Sequence, residues 1–132
     1  MNNEIPTWLK HKPLLAVDYS DIDAESGAGD AKFLSLGKAT WNPEDCSAKV
    51  WRYSDEADRW LRGSEELPLW RILDLAKLVV ANICGVDSGM EEKTVENQDI
   101  LFLKDYLKDN MSLYLPRIQK LKEILNYSET IV

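Results

Sequence analysis

Two hydrophobic periods divide this chain. Up to about Tyr53 the apolar residues come in short runs or alternate, and from Leu69 onward they return every three or four positions. Period two followed by period 3.6 places strands and helices in separate blocks, the pattern of an α+β domain.

Leu14 to Tyr19 reads as a first strand, entered through Pro13. Asp18 to Asp30 reads as an acidic loop ending in Gly27-Ala28-Gly29-Asp30. Lys32 to Trp41 is a second strand. It is interrupted by Gly37, which predicts a bulge or a close backbone approach. Asn42-Pro43-Glu44-Asp45 is a turn, and Ser47 to Tyr53 is a third strand. Its alternation puts Ala48, Val50 and Arg52 on one face and Lys49, Trp51 and Tyr53 on the other. Arg59 to Arg62 is either a short fourth strand in a hairpin with the third or, led by Asp55 and Asp58, a helical turn.

For the first long helix, Ser64 is the expected N-cap. Glu65 and Glu66 favour a helix start by charge, and Pro68 is tolerated in the first turn. Leu69, Ile72, Leu73, Ala76, Val79, Val80 and Ile83 form its stripe, and Leu75 and Leu78 widen it, which predicts burial on most sides. Gly85 is the expected stop, and Arg71 and Asp74 are spaced to pair. A second helix begins at Glu96 or Asn97 and runs through Lys108, with a break at Asp109-Asn110. A third runs to about Tyr127, with Pro116 either in its first turn or at a kink. The expected fold is a three- or four-stranded, mainly antiparallel sheet from the N-terminal half packed against three helices of the C-terminal half. With 132 residues the chain reads as one domain, with an N-terminal arm over 1–12 and a tail over 128–132.

Three of these stretches also carry a resemblance: Asp30-Ala31-Lys32-Phe33-Leu34-Ser35-Leu36-Gly37, Ser47-Ala48-Lys49-Val50-Trp51-Arg52-Tyr53, and Ser64 through Leu75. As a set they resemble a family of small bacterial proteins classed as a domain of unknown function, over Lys12 to Asn82. The resemblance implies a bacterial, cytoplasmic, single-domain protein. It brings no activity and no catalytic residues.

The net charge of −7 argues against nonspecific nucleic-acid binding and against anionic membrane surfaces. It permits a basic protein partner, although solubility alone accounts for it. The longest uncharged apolar stretch, Leu78 to Val86, is far short of the roughly 20 residues that cross a bilayer. The N-terminus lacks the cationic start and apolar run of a secretory signal. Cys46 and Cys84 read as reduced thiols of a cytoplasmic protein, Cys84 as core filling. His11, the only histidine, lies between Lys10 and Lys12 and reads as a surface residue. Asp21, Asp23 and Glu25 alternate like calcium ligands, but Ser26 and Lys32 occupy the positions where an EF-hand needs glycine and glutamate. No cofactor, metal or catalytic residue is assigned.

The pattern that remains is arginine among tryptophan. Arg52, Arg59, Arg62 and Arg71 are interspersed with Trp41, Trp51, Trp60 and Trp70, the composition of a recognition surface. The plainer account makes the tryptophans core and the Arg/Glu pairs surface ion pairs. Asp30, Lys32, Trp51, Arg52, Glu65, Glu66 and Arg71 are the candidate binding residues. Two functions follow. The first is a non-catalytic interaction or regulatory protein that binds a protein partner or forms a homodimer. The second is a small-molecule binder or small enzyme with a pocket of Asp30, Lys32, Arg52, Glu65 and Glu66 at the sheet–helix junction, where a carboxylate beside a cation orients an anionic ligand or moves a proton.

Overall fold

The computed structural model describes residues 5, 10–27, 29–61, 65–93 and 96–128. The protein has an α+β fold, with an antiparallel sheet in the N-terminal half and three long helices after it. The chain divides into two compact units, Met1–Asp74 and Leu75–Val132.

The first unit is built on the sheet. Strands β1 (Lys12–Asp18), β2 (Ala31–Lys38) and β3 (Cys46–Ser54) pair antiparallel in chain order. Two short strands share the remaining edge of β3: β4 (Arg59–Trp60) beside Tyr53 and Ser54, and β5 (Glu66–Pro68) beside Ser47 to Lys49. The hairpin reading of residues 59–60 therefore holds, while Arg62 lies outside the described residues.

The register explains Gly37. It pairs with Pro13 where β1 bulges between Pro13 and Leu15, and a Cβ on Gly37 would sit 2.1 Å from the Lys12 carbonyl oxygen. Only glycine permits that approach. Pro13 lies within the edge strand β1, a position where a missing N–H is tolerated.

Two local expectations are corrected. Residues 20–24, read as loop, form a short helix, α1 (Ser20–Ala24). Asp18 starts it, because its carboxylate accepts hydrogen bonds from both the N–H and the hydroxyl of Ser20. Glu66 to Pro68, read as the opening of a helix, is strand β5, and helix α2 (Leu69–Cys84) begins only after Pro68. A residue preceding proline resists the helical region, so Leu67 extends and pairs with Ala48 instead. Ser64, the expected cap, lies outside the described residues.

α2 ends at the predicted stop. Gly85 adopts φ +70° and the Val86 N–H bonds the Ala81 carbonyl, closing the helix in a left-handed turn. Its stripe, however, is not buried on most sides. Ala81 is its one buried residue, and Leu73 is 70% exposed. Periodicity shows which residues share a face, not what that face meets. Cys84, expected in the core, is also exposed, and no ion pair joins Arg71 to Asp74.

Helices α3 (Asn97–Asp109) and α4 (Met111–Tyr127) match the sequence reading closely, with Asn110 between them. Pro116 falls inside α4, beyond its first turn, where it cannot donate to the Ser112 carbonyl.

Candidate functional site

The sheet has two faces of opposite character. Directly paired residues share a face, so Phe33, Ser35 and Gly37 of β2 lie with Trp51, Lys49 and Ser47 of β3, and Glu66 and Pro68 of β5 join them. This inner face is buried at Trp51, Tyr53, Ser35, Ser47 and Pro68. Trp60 packs edge-on against Trp51 and Tyr53, with ring centroids 6.0 and 5.2 Å away.

His11, expected at the surface, has no exposed area at all. Its Nε2 lies 2.9 Å from Ser35 Oγ and its Nδ1 lies 2.8 Å from Ser47 Oγ. The Trp51 indole N–H donates to Ser35 Oγ at 2.7 Å, and the Ser47 hydroxyl donates to Glu66 Oε2 at 2.7 Å. Thr40 donates to the same carboxylate twice, from its N–H at 2.8 Å and its hydroxyl at 2.6 Å.

The carboxylate end of this chain of bonds fixes the protons in it. Ser47 gives its one hydrogen to Glu66, so its oxygen can only accept from His11, and Nδ1 carries the imidazole proton. The neutral ring then has a bare Nε2, to which Ser35 donates while its oxygen accepts the Trp51 indole N–H. The result is one directed relay, Trp51 to Ser35 to His11 to Ser47 to Glu66, with no buried side-chain polar atom left unpaired among the described residues.

The charges follow from the packing. Burial pushes the His11 imidazole below its ordinary pKa, against the pull of Glu66, so the ring is held neutral. Burial pushes the Glu66 carboxyl up, but the hydrogen bonds from Thr40 and Ser47 outweigh it and leave it below the usual value. Lys49, directly opposite Glu66, sits with Nζ 4.2 Å from the Trp51 ring centroid, and burial lowers its pKa.

A hydroxyl, an imidazole and a carboxylate in sequence is also the order of an acyl-transfer nucleophile. Here Ser35 is 4% exposed and its oxygen already accepts the indole N–H, so a substrate would have to displace packed core to reach it. What the relay does in this geometry is tie four segments of the first unit together.

The predicted site residues fall into separate places. Asp30, Arg52 and Glu65 do come together: Arg52 bonds Glu65 through Nε at 3.0 Å and Asp30 through Nη1 at 3.3 Å. Glu65 and then Asp30 raise the guanidinium pKa further. Lys32 lies near them and donates to the Gly29 carbonyl. Glu66 and Trp51 are on the opposite face, in the relay, and Arg71 is exposed on α2. Sequence reasoning missed His11, Ser35, Ser47 and Thr40. The available signal was that Ser35 and Ser47 alternate with Phe33 and Trp51 on the face that carries the aromatics.

The outer face carries Arg52 with smaller neighbours, one of the two arrangements the alternation allowed. Its rows are Val17–Leu34–Val50 and Leu15–Leu36–Ala48–Leu67, each residue directly opposite the next. Leu15, Val17 and Leu36 are 60%, 50% and 44% exposed.

An antiparallel sheet with a polar relay inside and aliphatic rows outside, followed by helices, makes this a small α+β protein. It belongs to DUF6530, a family of unknown function, whose model matches residues 3–91. The match ends between α2 and α3 and extends the resemblance seen over Lys12 to Asn82. No curated protein and no solved structure matches the chain. Among the described residues, no helix is long and apolar enough to cross a membrane.

Proposed function

We propose that this is a non-catalytic interaction protein whose outer sheet face binds another protein chain. The observation that carries the reading is the inverted sheet. Histidine and serines lie inside beside the aromatics, while leucine, valine and one alanine, Ala48, occupy two rows outside. Covering a half-exposed leucine or valine is worth about 1 kcal/mol, so three such residues with half-buried neighbours supply the core of a modest interface. The net charge of −7 supports a protein rather than a nucleic acid as the partner. The same reading places the protein in a bacterial cytoplasm, with Cys46 and Cys84, both free and exposed, as thiols. A pocket for an anionic ligand has less behind it, because Glu66 is committed to the relay on the face away from Arg52.

A photo-crosslinking amino acid placed at position 36, with position 56 in the exposed 55–58 turn as control, tests the reading in cells producing the protein. A discrete protein adduct from position 36 alone is expected. No adduct from position 36 overturns the reading.

A further inference from the structure

We infer that the partner of the outer face is a second copy of this chain, stacked face to face with its strands reversed end for end about a two-fold axis lying between the sheets. This rests on the proposed function and names its partner.

The charge layout of the face selects both the partner and the orientation. At one end Lys12 and Lys38 are directly opposite each other, and neither makes an ion pair among the described residues. Like charges facing across a strand pair repel, so this end needs carboxylates from elsewhere. The acids of the adjoining turn do not provide them. Glu44 stays exposed in the turn, and Asp45 accepts the Trp41 indole N–H and alternates away from the outer face.

The other end is the reverse. Two carboxylates, Asp30 and Glu65, share the single guanidinium of Arg52. Asp21 and Asp23 of α1 stand at the same end of the sheet, where Asp23 accepts the Ala31 N–H. Against these four carboxylates stand Lys32, Arg52 and Arg59, the last directly opposite Ser54.

A self-complementary two-fold contact repeats each pairing twice. With the axis across the strands, Lys12 and Lys38 of one copy lie over the Asp30–Glu65 end of the other, at both ends at once, while the aliphatic rows meet in the middle. With the axis along the strands, the lysines would face their own copies. Only the reversed stack is attractive throughout. Sheets packed in this way sit about 10 Å apart, close enough for long lysine side chains to reach across.

The size of the face sets the strength. Four strands at about 4.8 Å spacing and about six residues of length give a footprint of a few hundred Å² per copy, at the small end for specific contacts. The dimer should therefore be weak and concentration-dependent.

Sedimentation equilibrium on the purified full chain, across the micromolar range, measures it. A monomer–dimer equilibrium is expected. Leu36→Glu at the centre and Lys38→Glu at the basic end should each weaken it at least tenfold, with unchanged far-ultraviolet circular dichroism. Lys38→Glu combined with Glu65→Lys should recover much of the loss. A strict monomer, or a dimer indifferent to both single substitutions, overturns the inference. In that event a crosslink from position 36 to a different protein leaves the proposed function standing, and no crosslink removes both.

Discussion

His11 Nδ1 lies 2.8 Å from Ser47 Oγ, thirty-six positions away in sequence. This contact and its counterpart to Ser35 fasten the segment before β1 onto the middle of the sheet. His11→Phe keeps a ring beside Trp51 but removes the donor to Ser47 and the acceptor for Ser35. Each buried group so stranded costs about 1–3 kcal/mol. Urea denaturation should show a loss in that range. A change within about 0.5 kcal/mol, typical of a surface position, would mean the relay is not formed.

The relay also makes stability depend on pH in a defined direction. The folded state holds His11 below its ordinary value of 6.5, so below that pH the unfolded chain binds more protons and acid favours unfolding. Stability is therefore full above pH 6.5 and declines as the pH falls from there toward the depressed folded value. Glu66, depressed below 4.5, adds a second loss as acidity passes below that value. Denaturation midpoints from pH 8 to 4 should fall with acid, and His11→Gln should flatten the first limb while leaving the second. A wild-type profile flat between pH 7 and 5 contradicts a neutral buried imidazole.

Because His11 is the only histidine, its tautomer can be read without assignment ambiguity. The proton order set by the Ser47 bond to Glu66 requires Nδ1–H and, in the neutral ring, a bare Nε2 at neutral pH. Long-range nitrogen–proton correlation spectra should show that tautomer, with the Nδ1 proton slow to exchange. The Nε2–H form would leave a bare Nδ1 facing Ser47, whose one hydrogen is given to Glu66, and would overturn this proton order.

Gly37→Ala puts a methyl 2.1 Å from the Lys12 carbonyl oxygen and 2.9 Å from the Pro13 Cα. Both are backbone atoms, so the β1 bulge has to move rather than a side chain. Overpacking of this kind costs about 1–3 kcal/mol. Gly85→Ala, where φ is +70° but the space around is open, isolates the conformational cost alone, about 1 kcal/mol. Thermal unfolding of both variants should rank Gly37→Ala as the more damaging, and the opposite order would show that the bulge is soft.

What the sequence revealed and what it hid have one physical basis. Local rules located the bulge at Gly37, the stop at Gly85, the break at Asn110 and the alternation of β3. All of these depend on neighbours in the chain. His11 was misread because its flanking lysines are the local signal, while its partners come from β2 and β3. β5 was misread because Glu65 and Glu66 suit a helix start, and only β3, far back in the sequence, supplies the edge they pair with. The candidate Asp30–Arg52–Glu65 cluster could be read as a charge pattern, but its separation from Glu66 needed the sheet.

That separation gives the last prediction. Glu65 and Glu66 are neighbours in sequence on opposite faces of the sheet. Glu65 is 41% exposed and bonds one guanidinium in solvent, where an ion pair contributes about 0–1 kcal/mol and salt screens it. Glu66 is 9% exposed and accepts two bonds from Thr40 and one from Ser47. Hydrogen bonds to a charged acceptor contribute about 1.5–3 kcal/mol, and removing this one strands the buried Ser47 hydroxyl, while the exposed Thr40 donors turn to water. Denaturation of Glu65→Ala and Glu66→Ala side by side should show a small, salt-sensitive loss for the first and a loss of at least about 2 kcal/mol, little changed by salt, for the second. Equal losses would mean that the two carboxylates share one environment, and that the inner and outer faces assigned to β3 and β5 are wrong.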